Sequence, residues 1–399
     1  MKDTTIERVE LVRLHGRMPV ERDLDAAEEL VAPYGKWRPE GLTLGSRLEK
    51  SEIPVKHTYL RILTKDGHEG LCLGVTPVGR QLLNDMAPAF LLGRDSLDTE
   101  HIWQHVHGSA RFGVRGEHLT ALAAIDIALW DLRGKAMGVP TAAAMGGTRR
   151  KTVSAYGMLD GLPGLGDDDY GRIREWAVYL KEKGYRYTKW PVPVKNNNQL
   201  ESFKWSVGYV RTLREALGDD ADFILCAFMG KQSKAFFKAV EPYAPMHIQT
   251  CVAKGDETTL AELRTISSVP IGTGQDVRDR RDLLRLLNGG QVDVLGCDPF
   301  GVGGLTELRK IAHVVEAYGA QMWPHCTLLE NTQLVASLPG AVCPFVERLI
   351  AWSPYRLFFE VCNSEPKNGT ITVPDHPGIY CWHEDRIEKR ELVAEWDRS

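Results

Sequence analysis

An aspartate and a histidine follow two successive strand-like runs in the C-terminal half of the chain, and together they could transfer a proton. Asp298 follows VDVLGC at 292–297, and His325 ends AQMWPH at 320–325. A carboxylate that orients an imidazole is the usual way to make histidine a competent base near neutral pH. Taken alone, a histidine in a turn such as the PHC of residues 324–326 is more often a hydrogen-bonded structural residue. The aspartate after the preceding strand favours the catalytic interpretation.

Lys189, in YTKWPV, is a further ionisable residue at the end of a strand-like run. Its ammonium could act as a base or as a cation that binds an anionic substrate, and the alternative is a solvated lysine at a strand end. The aromatic candidates for substrate contact are the adjacent Trp190 and Trp37, which lies in a polar insert at residues 19–54. That insert is longer than a connection requires, so it is either a lid or a surface excursion.

These residues need a scaffold that brings several strand ends together. Short β-rich runs alternate with helical runs after Pro140. In a parallel barrel, catalytic side chains come from the C-terminal ends of several strands. The predicted strands are 152–159, 185–190, 222–228, 246–251, 269–274, 292–297, 320–325 and 343–347. The pattern therefore predicts an α/β fold with a (β/α)8 TIM-type barrel.

The N-terminal part of the chain predicts a second, α+β capping domain. Strand-like runs flank a turn at Asp66 and Gly67, which indicates a β-hairpin. A chain of 399 residues is also longer than a single core usually supports. We expect three segments: a capping domain at 1–140, the barrel at 141–354, and a C-terminal segment at 355–399 that returns to the cap.

Composition and charge narrow the classes of partner. Charged residues make up 26% of the chain, and the net charge of -4 leaves no basic stripe for a nucleic acid backbone. No apolar run is long enough to predict a membrane span. The eight cysteines contain no CxxC pair and the N-terminus has no apolar targeting segment, which together predict a cytoplasmic protein. We therefore expect a small-molecule partner, and neither nucleic acid nor a membrane.

The run AAIDIALWDLRGKAMGVP at 123–140 resembles the signature helix of the mandelate racemase branch of the enolase superfamily. The resemblance extends over nearly the whole chain, through the cap sheet, the eight barrel strands and the C-terminal return. Within the helix, Asp126, Trp130 and Asp131 are expected to brace the junction between cap and barrel rather than to catalyse.

The resemblance implies a magnesium ion held by one acid at the end of each of the third, fourth and fifth barrel strands. The positions that match are Cys226 in ILCAF, Gln249 in HIQTC and Gln275 in GTGQ, and none is an acid. Magnesium prefers oxygen ligands that include carboxylates. This comparison predicts that no metal and no other cofactor is bound, and that the three residues contact substrate instead.

A soft-metal site is the alternative that the cysteines leave open. Cys226 and His325 supply the thiolate and imidazole that suit zinc. Cys251, Cys297 and Cys326 each lie next to a position expected to face inward, so alternation along the strands predicts that their side chains point elsewhere.

The acid-base residues match the family better. The resemblance implies that Asp298 and His325 form the dyad that moves the substrate proton, and that Glu347 in FVERL hydrogen-bonds the substrate. An exposed glutamate at a strand end is the alternative for Glu347. Lys189 stands where the family often has two lysines.

The function predicted from these residues is that of a lyase or isomerase. It would eliminate or epimerise by abstracting a proton next to a carbonyl of a sugar-like molecule, such as a keto-sugar, without a metal. Two alternatives are a magnesium-dependent acid-sugar dehydratase with unusual ligands and a non-catalytic binding protein. The resemblance also implies a homo-oligomer.

Overall fold

The structure is a computed structural model that describes most of the chain. The described residues are 3–19, 52–110, 114–147, 150–159, 170–192, 199–227, 229–253, 255–326, 329–350, 353–362 and 366–397. Trp37 and most of the insert predicted at 19–54 lie outside these residues.

An antiparallel sheet forms the core of the cap. Its strands are β1 (Ile6–Pro19), β2 (Glu52–Thr64), β3 (Glu69–Leu73) and β13 (Lys389–Asp397). They lie in the order β13-β1-β2-β3. The predicted hairpin joins β2 to β3, and its turn requires glycine because Gly67 has a φ of 82°.

The eight predicted barrel strands are all present, although several are only two or three residues long. They are β4 (Thr152–Met158), β5 (Tyr187–Pro191), β6 (Asp222–Cys226), β7 (Ile248–Gln249), β8 (Ile271–Thr273), β9 (Val294–Leu295), β10 (Gln321–Met322) and β11 (Phe345–Leu349). Each pairs in parallel with its neighbour in the order β10-β9-β8-β7-β6-β5-β4-β11. The N–H of Met322 donates to the carbonyl of Val342, at 2.8 Å, across the remaining gap. The predicted TIM-type architecture with a cap is confirmed.

The tail contributes to both sheets. β13 pairs with β1 in the cap, whereas β12 (Thr370–Thr372) pairs antiparallel with β4 in the barrel. The C-terminal segment, expected to return to the cap, therefore first adds a strand to the barrel at Thr370–Thr372, and the return to the cap comes later in the chain. The boundaries at residues 140 and 354 remain predictions.

Helices lie between the strands in the expected alternation. Those of the cap and junction are α1 (Pro77–Met86), α2 (Thr99–Ser109), α3 (Glu117–Met137) and α4 (Thr141–Ala144). Those of the barrel and tail are α5 (Gly171–Glu182), α6 (Gln199–Leu217), α7 (Ser233–Val240), α8 (Glu257–Ile266), α9 (Arg280–Leu287), α10 (Leu305–Ala317), α11 (Leu329–Ser337) and α12 (Ser353–Arg356). Among the described helices, none is both long and apolar enough to cross a membrane.

Helix α3 braces cap and barrel, as its sequence predicts. Asp126 accepts hydrogen bonds from the backbone N–H of Thr306 at 2.9 Å and from its hydroxyl at 2.5 Å. The indole N–H of Trp130 donates to the same hydroxyl, and Asp131 accepts from the N–H of Ile379 at 2.6 Å. These buried bonds tie the helix to α10 and to the tail.

A layer of large side chains fills the barrel interior beneath the C-terminal strand ends. Tyr156, Ile224, Val294, Trp323 and Phe345 form one buried cluster, in which the rings of Trp323 and Phe345 are 4.4 Å apart. Because side chains alternate along a strand, the residue two positions further faces the same interior, one layer nearer the barrel mouth.

Candidate active site

Asp298 and His325 lie side by side where β9 and β10 end. The ladder between these strands continues past their named ends, because the N–H of His325 donates to the carbonyl of Cys297 at 3.0 Å. His325 Nδ1 is 3.1 Å from Asp298 Oδ2, and the N–H of Phe300 donates to Asp298 Oδ1 at 2.8 Å. Their side chains are 20% and 18% exposed. The predicted pair is therefore brought together and can be reached from solvent.

The turn after His325 is held in an uncommon conformation. Cys326 has a φ of 75°, in the left-handed region that side-chain-bearing residues rarely adopt. Its N–H donates to Glu347 Oε2 at 2.5 Å, and the side-chain amide of Asn331 donates to the carbonyls of His325 and Cys326 at 2.8 and 3.0 Å. These bonds offset the backbone strain and place the cysteine beside the histidine.

Lys189 and Glu347 form a buried ion pair in the barrel interior, below the mouth. Lys189 Nζ is 2.8 Å from Glu347 Oε1, and the side chains are 2% and 0% exposed. Burial alone would raise the pKa of Glu347, but the Lys189 ammonium and then His325 lower it below its ordinary value. Burial and the adjacent Glu347 carboxylate raise the pKa of the Tyr156 phenol. Glu347 is therefore a buried carboxylate, not an exposed strand-end residue.

Glu347 also connects this buried ion pair to the dyad of Asp298 and His325. Its Oε2 is 3.9 Å from His325 Nε2, on the side of the ring opposite Asp298. Lys189, Glu347, His325 and Asp298 thus form one continuous row of charged or ionisable groups.

The three positions that match the family's magnesium ligands are placed differently from one another. Cys226 and Gln249 are register partners on β6 and β7, so they occupy adjacent positions. Gln249 is buried, and an added Cβ at Gly296 would lie 2.6 Å from its Nε2, so the glycine makes room for the amide. Gln275 is exposed and lines a cavity of about 570 Å³ between the loops that follow β7 and β8. Neither dyad residue lines that cavity.

Of the two aromatic candidates, the structure describes Trp190, which lies away from the barrel mouth. Trp190 has no exposed surface, donates its indole N–H to Thr188 at 2.8 Å, and belongs to the main hydrophobic core. Strand alternation turns it away from the face that carries Lys189. Trp37 lies outside the described residues.

Several residues of the site were not found from the sequence. Asn331 holds the turn after His325. Arg356 is buried, which alone would lower its pKa, but nearby groups that include Cys326 and Asp298 raise the pKa above its ordinary value. Buried His247 lies edge-on against Trp323, and burial lowers its pKa to about 3. No local motif marks Arg356 or His247, and the only signal for Asn331 is its position six residues after the predicted dyad histidine.

Curated relatives align with this protein over most of its length. It is 28% identical over 293 residues to a D-galactonate dehydratase of Ralstonia pickettii, covering 71% of this chain and 75% of the relative. It is 27% identical over 296 residues to a D-galactonate dehydratase of Pectobacterium atrosepticum, with the same coverage.

Solved structures share the fold over almost the full length. One is an L-talarate dehydratase of Polaromonas sp. JS666 complexed with Mg and L-glucarate, at 22% identity and a TM-score of 0.74, covering 99% of this chain and all 100% of that one. Another is a 3,6-anhydro-D-galactonate cycloisomerase of Zobellia galactanivorans, at 22% identity and a TM-score of 0.75, covering 96% and 100%.

The prediction of no cofactor is wrong. It conflicts with these relatives, one of which is described as a complex with Mg. It also conflicts with the described residues themselves, because Asp298, His325 and Cys326 form a group with metal-ligand chemistry. The acids missing at or just after the ends of β6, β7 and β8 indicate only that the usual ligand set is altered, which does not imply that no metal is bound.

The donors at the three family positions do not fit magnesium. A thiol and two neutral amides offer no carboxylate, and the Gln249 amide is buried against Gly296. The buried Glu347 carboxylate is already paired with Lys189.

Two family models match the chain in succession. The N-terminal domain model of mandelate racemase and muconate lactonizing enzyme matches residues 37–146, and the enolase C-terminal domain-like model matches residues 172–379, more than half of the chain. These matches confirm the resemblance and, with it, the prediction of an enzyme of lyase or isomerase type. The chain belongs to the enolase superfamily, in its mandelate racemase branch.

Proposed function

We propose that the protein is a dehydratase of sugar acids in which His325 abstracts the proton next to the carboxylate. The observation that carries this proposal is the bond between His325 Nδ1 and Asp298 Oδ2, at 3.1 Å in a solvent-accessible position. The D-galactonate dehydratases among the relatives support a sugar acid rather than the keto-sugar that the sequence suggested.

The geometry assigns a role to each nitrogen of the His325 ring. Neutral imidazole has one N–H donor and one acceptor. When Nδ1–H donates to Asp298, Nε2 carries the lone pair and acts as the base. Asp298 then stabilises the imidazolium that forms, and the N–H of Phe300 keeps the carboxylate in place. Asp298 is accordingly a positioning residue.

Dehydration follows from a single base. Nε2 takes the proton from the carbon next to the carboxylate, and the resulting imidazolium can return a proton to the hydroxyl that leaves from the adjacent carbon as water. The carbon–hydrogen and carbon–oxygen bonds break, and the enol that forms becomes a 2-keto-3-deoxy acid.

Epimerisation would need a second group to deliver a proton from the opposite face. Lys189 is the candidate from the sequence, but its ammonium is paired with Glu347 and almost fully buried. This pairing favours dehydration. It also supports a different role for Lys189, as the positive charge that balances Glu347 beneath the substrate.

The test is turnover of a panel of sugar acids that includes D-galactonate and L-glucarate, in buffer with magnesium, with detection of the 2-keto product. In deuterated water, deuterium should appear at C3 of the 2-keto product, and at C2 of recovered substrate whenever the abstracted proton exchanges with solvent before it returns. Release of a 2-keto acid by the unmodified protein supports the proposal. If no sugar acid is consumed and none exchanges deuterium, the non-catalytic alternative stands instead.

A further inference from the structure

Three side chains at the ends of β9 and β10 combine an oxygen, a nitrogen and a sulfur donor. One ligand atom from each of Asp298, His325 and Cys326 lies within 4.8 Å of the other two. All three residues are half-buried, so an ion could reach them from solvent. None of the three stands at a position that matches the family's magnesium ligands.

We propose that Asp298, His325 and Cys326 form a binding site for a soft divalent transition-metal ion of the zinc type, and that an ion held there withdraws His325 from proton transfer. Thiolate and imidazole prefer such ions to magnesium. The second clause rests on the proposed function, whereas the first does not.

The distances suit one shared ion after a small movement. Zinc–sulfur and zinc–nitrogen bonds of about 2.3 and 2.1 Å place two ligands of a tetrahedral ion roughly 3.3–3.8 Å apart. His325 Nδ1 and Asp298 Oδ2, at 3.1 Å, are already close to that separation. Because the ligand atoms lie within 4.8 Å of one another, the remaining closure is at most about 1–1.5 Å, which rotation of the Asp298 and Cys326 side chains can supply.

A buried cation lies near the three donors. The guanidinium of Arg356 interacts electrostatically with both Cys326 and Asp298. Metal binding requires the deprotonated thiol. On binding, the thiol proton leaves to solvent, and the fourth position of the ion stays open for water or a ligand oxygen.

Occupancy would change the tautomer of His325. If the metal takes the lone pair of Nδ1, the proton of the neutral ring must reside on Nε2, where Glu347 Oε2 lies 3.9 Å away. Nε2 then donates and cannot accept a substrate proton. A zinc-type ion at this site is therefore an inhibitor.

The test uses Co²⁺ as a spectroscopic probe in the intact protein. We expect stoichiometric Co²⁺ binding with a thiolate-to-metal charge-transfer absorption, displaced by Zn²⁺. Cys326→Ser should remove that absorption and weaken Co²⁺ binding on the order of 100-fold. The matched control is Cys381→Ser, which removes an exposed thiol elsewhere and should retain the absorption. No absorption in the unmodified protein, or its persistence in Cys326→Ser, overturns the site.

A second measurement uses only the unmodified protein. Zn²⁺ should protect Cys326 from alkylation, as mapped by mass spectrometry, while Cys381 stays reactive. Equal alkylation of Cys326 with and without Zn²⁺ would overturn the site even if the variants do not fold.

Inhibition is tested separately. Zn²⁺ should abolish sugar-acid turnover, a chelator followed by magnesium should restore it, and whatever activity Cys326→Ser retains should be insensitive to the same Zn²⁺ concentration. Metal binding without inhibition refutes the second clause alone. An inactive protein that binds Co²⁺ refutes the proposed function and leaves the site intact.

Discussion

Lys189 and Glu347 are joined across the strand that separates them. β4 lies between β5 and β11 in the barrel, and the Lys189 Nζ to Glu347 Oε1 bond of 2.8 Å spans it, with the ammonium 5.9 Å from the centroid of the Tyr156 ring. Both side chains are buried beneath Asp298 and His325. Removing either charge would therefore leave the other buried without its ion-pair partner.

Lys189→Met should therefore destabilise the protein strongly. Removing one partner of a buried pair typically costs about 3–5 kcal/mol, whereas replacing both by apolar residues is often tolerated. We expect a large fall in the urea midpoint for Lys189→Met and substantial recovery in the double variant Lys189→Met, Glu347→Leu. Arg172→Ala is the control, because it breaks an ion pair with Glu175 whose side chains are 55% and 64% exposed. Equal effects of Lys189→Met and Arg172→Ala would contradict this view of the pair.

His325→Asn should abolish turnover while leaving the urea midpoint nearly unchanged, because the side chain is partly exposed. Asp298→Asn should lower kcat by about 10²- to 10⁴-fold, since an amide can favour the wrong tautomer of the ring. KM should change much less. Retained deuterium exchange and full activity in His325→Asn would move the base to another residue, with Lys189 the first to test.

Glu360 should make stability depend on pH. Tyr59 donates to its Oε1 at 2.5 Å, and burial raises the pKa of Glu360 from 4.5 to about 8. Between these values the folded state holds a proton that the unfolded state has lost, so stability falls as pH rises through the window. Glu360→Gln removes this contribution.

Relative to the unmodified protein, Glu360→Gln should therefore gain stability with rising pH, on the order of 1 kcal/mol per pH unit between about 4.5 and 8. Urea unfolding of both proteins at pH 5 and at pH 8 measures the difference. A stability difference that is independent of pH would show that Glu360 titrates normally.

Gly304 should tolerate no side chain. It has a φ of 110°, and an added Cβ would lie 2.3 Å from Asp126 Oδ2. Gly304→Ala should destabilise the protein by about 2 kcal/mol or more and loosen the contact of α3 with α10. Gly108→Ala, in α2, is the matched control: no described atom lies within 4 Å of its added Cβ, and alanine should stabilise the helix slightly. Thermal unfolding of the two variants should shift in opposite directions.

The barrel and its dyad could be predicted from the sequence because both depend on local patterns. Alternating β-rich and helical runs place every strand end at one mouth, where Asp298 directly follows one run and His325 ends the next. Parallel pairing of β9 with β10 then brings the two side chains together. The buried acids of α3 could likewise be recognised as a brace, since a charged residue within an apolar helix needs a partner.

The environment of the dyad was decided only by tertiary structure. Alternation predicted that Cys326 would point away, but the left-handed turn held by Asn331 and Glu347 ends the alternation and places the thiol beside His325. Arg356 reaches the same place from a distant segment of the chain. The sequence alone determined which strands form the barrel and which two residues meet at its mouth. No local periodicity encodes the backbone turn or the long-range contacts. The turn places Cys326 beside that pair, and a long-range contact pairs Lys189 with Glu347.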